Sequence, residues 1–222
     1  VEYRGIFIND EDWGLTPWSS WTYEPWLHYG PGRIGPKTNE RIFELLLRLR
    51  ANTCWPAMHE CTKPFFLTKG NREVAKKFGI YIGGSHCEPM ASSTAGEWSQ
   101  RGKGEYDYVR NSASVYKFWE HRVKEVAGQE ILYTVGMRGV HDGAMNGAKT
   151  LDEQKAVLEH TFADQRCLLQ QYVNEDVTKV PQVFIPYKEV LDVYHAGLEV
   201  PDDVTLMWCD DNYGCLLYTS DA

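Results

Sequence analysis

No run of about 18 apolar residues occurs in the 222-residue chain, so no membrane-crossing helix and no membrane partner are expected. Basic residues are also scarce. Lys and Arg number 23 against 31 Asp and Glu, a net charge of −8. That argues against nucleic acid as a partner and suits a neutral or sparsely charged polymer. No Gly-rich phosphate loop, G-x-S-x-G elbow or His-Glu-x-x-His pair is present. Gly83-Gly84-Ser85-His86 has the wrong spacing for a nucleophile turn. His59-Glu60 is followed by Cys61, with no second His one helical turn on. His59, His86 and His141 beside acids are the rival metal-binding set, but without ligand spacing no metal and no other cofactor is expected.

Cysteine is sparse. The six (54, 61, 87, 167, 209 and 215) form no CxxC pair and are too few for a disulfide scaffold. Four lie in or beside apolar runs and read as buried thiols. No initiator Met and no leader is visible at Val1, so a longer parent protein is expected, secreted or periplasmic. The last eight residues, CLLYTSDA, resemble translated adapter sequence, so residues 1–214 are read as one partial domain and 215–222 as a non-native tail.

Hydrophobic residues make up 43% of the chain, enough to build a core, and aromatics are plentiful, with 8 Trp and 13 Tyr. A large aromatic core is the first reading of that count, and stacking on sugar rings the second. Apolar runs begin near residues 4, 52, 80, 130, 182 and 203. Between them lie helical patterns at 38–51, 71–79, 112–128, 150–173 and 189–197. The first has apolar residues at 42, 45, 46 and 49; the second opens on Asn71 as an N-cap and closes on Gly79. The third buries Val115, Phe118, Trp119, the Arg122 stem, Val123 and Val126. The fourth starts with Thr150 and Glu153 at capping-box spacing and turns Val157, Leu158, Phe162, Leu168, Leu169 and Tyr172 inward. Residues 9–26 read as a long acidic and aromatic loop. This β-α alternation predicts an α/β fold with a parallel sheet. A (β/α)8 TIM-type barrel, truncated to about strands 1–6, is preferred over an open doubly wound sheet, because the first strand lacks a Gly-rich turn.

Each apolar run ends on groups able to do chemistry: IND-ED, PAMHE, GGSHCEP, GMRGVHD, PYKE and CDDN. In a barrel all six ends share one face, where active sites sit. The set is rich in carboxylates, among them Asp10, Asp12, Glu60, Glu88, Asp142, Glu189, Asp210 and Asp211. A paired-carboxylate reaction such as glycoside cleavage would use two of them. Asp142 and Glu189 stand out because each directly follows a short apolar approach.

The stretches GIFINDEDWGL, NTCWPAMHECTKPFF, IGGSHCEPM, GMRGVHD, VPQVFIPYKEVLD and VPDDVTLMWCDDNYG together resemble glycoside hydrolase family 115, the xylan α-1,2-glucuronidases. The resemblance runs nearly end to end over residues 1–214. It implies removal of glucuronic acid or its 4-O-methyl form from glucuronoxylan or aldouronic acids, with inversion, by an enzyme of which this chain is most of the barrel and which is inactive as the isolated fragment. It implies Asp142 and Glu189 as the catalytic pair, with Glu189 the guess for the acid. Arg138 would pair with the uronate carboxylate, which a bidentate guanidinium suits. Tyr187, Asp210 and Asn212 would line the sugar pocket. Asp10 and Asp12 fall on one side of strand one, so either could reach a hydroxyl. Trp55, His59 and His86 are further carry-overs, Trp55 also reading as packing. A homodimer is the expectation for the full-length protein. Two other readings stay open: a related glycosidase for another uronoside, and a non-catalytic carbohydrate-binding barrel.

Overall fold

A computed structural model of the chain describes residues 2–9, 11–24 and 34–210. Six parallel strands form two small sheets in sequential order. The first holds β1 (Gly5–Phe7), β2 (Thr53–Trp55) and β3 (Tyr81–Ile82); the second holds β4 (Tyr133–Val135), β5 (Gln182–Phe184) and β6 (Thr205–Leu206). Registers are Ile6 to Cys54, Cys54 to Ile82, Thr134 to Val183 and Val183 to Thr205. The sheets meet where Ile82 bridges Ile131 in parallel, with Ile82 N–H donating to Glu130 O (2.9 Å) and Leu132 N–H to Ile82 O (3.1 Å).

Seven α-helices occur among the described residues: α1 (Thr16–Thr22), α2 (Pro36–Arg48), α3 (Asn71–Phe78), α4 (Thr94–Arg101), α5 (Ser112–Val126), α6 (Leu151–Tyr172) and α7 (Glu189–His195). All the expected patterns form, with local corrections. Asn71 is the first residue of α3, not its cap. Gly70 holds that position, while Gly79 ends the helix in the left-handed region as its C-cap. α2 buries Phe43 and Leu46, whereas Leu45 and Leu49 are exposed. The capping box of α6 is formed, with Thr150 Oγ1 accepting from Glu153 N–H and Glu153 accepting from Thr150 N–H. Residues 9–26 are not simply a loop, since a π-helical turn (Glu11–Leu15) runs into α1. Of the cysteines, Cys54 and Cys87 are buried, Cys61 and Cys209 half-buried and Cys167 exposed.

The two faces of the strands differ. One carries the main core, where Cys54, Ile82, Tyr133, Val135 and Phe184 meet helix residues such as Phe43, Trp119, Leu158, Phe162 and Val193. The other carries a small cluster of Trp55, Leu132, Val183 and Ile185, flanked by Tyr3, Tyr81, Tyr187 and Cys209, with no helix residue in it. The helices therefore cover one side of the strands and the strand-two tryptophan looks to the other.

Arg122 is buried whole, not only by its stem. Its guanidinium donates to Glu97 on α4, both side chains being 1% exposed, and lies 4.8 Å from the Phe66 ring centroid. It also donates to Glu125 Oε2 (2.8 Å). Removing one partner strands the other in the core. Glu97→Gln is therefore expected to cost about 3–5 kcal/mol, read as a lower melting temperature, while Arg101→Lys at the half-exposed rim of the same cluster costs far less.

Candidate active site

The strands stop early for local reasons. Pro56 has no N–H to continue β2, Pro186 does the same after β5, and Gly136 turns the chain at a φ of 92° after β4. Beyond those stops the chain leaves as loops, and their first residues meet. Gln165 of α6 fixes the loop after β4: its side chain accepts from Gly136 N–H (2.7 Å) and donates to Gly136 O (2.9 Å). Thr94, at the start of α4, ties two loops together by donating to Cys87 O (3.0 Å) and accepting from His141 N–H (2.9 Å).

Arg138 is the hub. It is 3% exposed and grips Glu189 with two parallel bonds, Nε to Oε1 at 2.9 Å and Nη2 to Oε2 at 2.7 Å. Its Nη1 donates to Asp142 Oδ1, and its guanidinium lies 5.7 Å from the Tyr187 ring centroid. Burial works against the Arg138 charge, but bonds and charge from Glu189 and then Asp142 outweigh it and push its pKa up. Asp142 also accepts from His86 Nε2 (3.1 Å) and from Lys188 Nζ. Partial burial pushes the Asp142 carboxyl up. Bonds from Lys188, His86 and Arg138 overcome this and hold it well below the usual carboxylate range. Burial, ahead of every other effect, pushes the His86 pKa down. A neutral His86 facing a carboxylate must donate, so its proton sits on Nε2. The His86 and Tyr187 rings lie 4.3 Å apart.

Five of the expected residues, Arg138, Asp142, Glu189, Tyr187 and His86, thus form one cluster. Asp12 and His59 form a second contact, with Oδ2 and Nδ1 3.6 Å apart and the His59 ring edge-on to His141 at 5.2 Å. Trp55 is buried in the wall below, edge-on to Phe7 at 5.6 Å. A side chain at Gly83 would collide with its indole, since a Cβ there would fall 2.3 Å from Nε1. Asp210 is exposed at the end of the described chain, and Asp10 and Asn212 lie outside the described residues. Glu88, among the strand-end acids, is buried and accepts from Ser85 Oγ (2.8 Å) and Ser85 N–H (3.1 Å), which braces the turn after β3. Lys188 is the residue the sequence did not flag.

Among the described residues, two groups of side chains bring possible metal-ligand atoms within 4.8 Å of one another: His86, Cys87 and Asp142, and Asp12, His59 and Cys61. The first fits a cation poorly, because Arg138 and Lys188 already place two positive charges on Asp142, and burial pushes the Cys87 thiol up to about 12. The second is a mixed O, N and S set at the rim, and nothing beyond proximity points to an ion there. Chemically, the main cluster offers two carboxyl groups on one buried guanidinium, with a lysine and an imidazole steadying one of them.

The family model for glycosyl hydrolase family 115 matches residues 1–221. None of the curated proteins compared matches the chain. One similar solved structure is a family GH115 4-O-methyl-alpha-glucuronidase, BtGH115A, with specificity for decorated arabinogalactans. It is 78% identical with a TM-score of 0.94, and the match covers 97% of this chain and 28% of that one. The chain therefore spans little more than a quarter of that protein's length. With the motifs at its strand ends and a family match over nearly all its residues, the chain belongs to glycosyl hydrolase family 115.

Proposed function

We propose that this chain is the six-strand part of a (β/α)8 barrel in a glucuronidase that releases glucuronic acid, or its 4-O-methyl form, by an inverting two-carboxylate mechanism. The observation that carries the reading is the pair of carboxylates, Asp142 and Glu189, sharing the buried Arg138 guanidinium. A barrel accounts for six parallel strands in sequential order with helices on one face alone, since a doubly wound sheet carries helices on both.

Charge balance divides the roles. In the cluster as it stands, two cations (Arg138 and Lys188) meet two carboxylates. Three Arg138 donors are in use, and those left can meet a uronate. A third carboxylate there leaves one negative charge in excess, so one group takes up a proton. Asp142, held by three donors, keeps its charge; Glu189 carries the proton. Glu189 is then the acid that protonates the leaving oxygen, and Asp142 the base that draws a proton from water on the opposite face of the sugar. Inversion needs their carboxyls about 6.5–9.5 Å apart once water and sugar are in place. Tyr187, His86, Asp12 and His59 flank the sugar, and Trp55 supports them as packing.

The 78% identity to an enzyme with specificity for decorated arabinogalactans favours that glycan over the xylan implied by the sequence motifs. The test is release of 4-O-methylglucuronic acid by the full-length protein carrying this chain, from decorated arabinogalactan and from glucuronoxylan, with a Glu189→Gln control. Release from arabinogalactan that the control abolishes is the expected result. Release from xylan alone moves the substrate, and a folded protein that binds glycan without releasing anything moves the reading to a binding barrel.

A further inference from the structure

Lys188 sits between Tyr187 and Glu189 in a backbone conformation that a lysine avoids, with φ 51° and ψ −128°. Side chains in that region carry backbone strain. It persists here with the ammonium aimed at one atom: Nζ donates to Asp142 Oδ2 and lies 5.4 Å from the Tyr187 ring centroid. The side chain is 46% exposed, so water could solvate it instead. The other Asp142 oxygen, Oδ1, takes Arg138 and His86, with Cys87 Sγ at 3.9 Å. Among the described residues, Lys188 is thus the donor that meets Oδ2, while the others meet Oδ1.

We propose that Lys188 is a positioning residue that locks the Asp142 carboxylate in place and in its ionised form, and so fixes Asp142 rather than Glu189 as the base. The inference rests on the glucuronidase reading above. Without Lys188, Arg138 would be shared by two similar carboxylates, and when a uronate arrives either could take up a proton from solvent. With it, Asp142 keeps a cation of its own that the uronate does not contest. The charged and titratable groups facing Asp142 are His86 and Cys87 after β3, Arg138 after β4, and Lys188 after β5. Glu189 acts on it through the shared Arg138, Glu88 adjoins Cys87 in the chain, and His141 directly precedes Asp142 with its ring edge-on to His59. Arg138 divides its charge between Asp142 and Glu189, whereas Lys188 pairs with Asp142.

The sign follows directly. A base must be ionised, so activity falls as pH drops through its pKa. A lowered pKa puts that acid limb at low pH, and removing a cation raises it. In the full-length protein, Lys188→Met is expected to move the acid limb of kcat up by about one pH unit, the shift typical of losing one nearby opposite charge. Lys188→Arg is expected to leave it in place. Lys188→Gly relaxes the backbone, because glycine accepts a positive φ, yet removes the ammonium; it is expected to move the limb as Lys188→Met does. A merely structural lysine would instead leave the glycine variant with the wild-type profile, and that result overturns the proposal. So does a raised KM with an unmoved acid limb, which would make Lys188 a substrate ligand. If the wild-type protein releases no uronic acid at all, the glucuronidase reading fails, and the positioning role that rests on it falls with it.

Discussion

Glu189→Gln is expected to lower turnover on the glycan about a thousandfold, within the range for losing a general acid. The same variant is expected to lose far less on an aryl α-glucuronide, whose phenolate departs without a proton. Asp142→Asn is expected to lose activity on both, because water must be activated whatever leaves. The contrast follows from the cluster. Glu189 shares Arg138 and, in the proposed mechanism, is the group that carries the proton, whereas Asp142 is held by Arg138, His86 and Lys188 together. Glutamine keeps the shape of Glu189 and can still accept from Arg138, so fold and sugar binding are expected to survive, checked by product affinity. Equal losses on both substrates for Glu189→Gln would remove its role as acid. A spared aryl substrate in Asp142→Asn instead would exchange the two roles.

The sequence carried the helices well and the loops poorly, for physical reasons. α5 and α6 are long enough for a 3.6-residue period to fix a face, and Val115, Phe118, Trp119, Val123 and Val126 are buried as that period requires. α4 was not among the helical patterns, because it holds Gly96 inside a Ser- and Thr-rich stretch with no clear apolar period. Its helix is fixed by a local cap, Ser93 Oγ accepting from Gly96 N–H, and by the tertiary bond from Arg122 to Glu97. α1 carried a legible signal in Pro17, a residue favoured in the first turn, but the surrounding tryptophans obscured it. The strands are shorter than their apolar runs because Pro56, Gly136 and Pro186 interrupt the ladders, which frees the next few side chains for the site. Arg138, Asp142 and Glu189 were visible as charges just past apolar runs. Lys188 was not, because its part depends on a strained backbone angle and a partner 46 residues away that no local pattern encodes.

Expressed alone, residues 1–222 are expected to aggregate or fold only in part. The central strands β2, β4 and β5 are buried at every position, whereas β1 is exposed at all three and β6 is exposed or half-buried. Each outer strand has a partner on one side only among the described residues. Ile6, Phe7 and Met207 are 48%, 37% and 41% exposed. They line a groove of about 200 Å³ that also takes in Tyr3, Trp55 and Leu206. Short, apolar, open edges are what other chains pair with, and closing a barrel removes them. If the proposed barrel is right, two further strands between β6 and β1 would cover this groove and pair both edges. The 222-residue chain should then show broad, non-cooperative melting and concentration-dependent scattering, and a longer chain that supplies those strands should melt sharply. A cooperative transition from monomeric residues 1–222 would mean that the six strands and their helices form a self-sufficient core. The groove would then be an open surface of the fold and not the seat of missing strands, and the barrel reading would lose its strongest physical support.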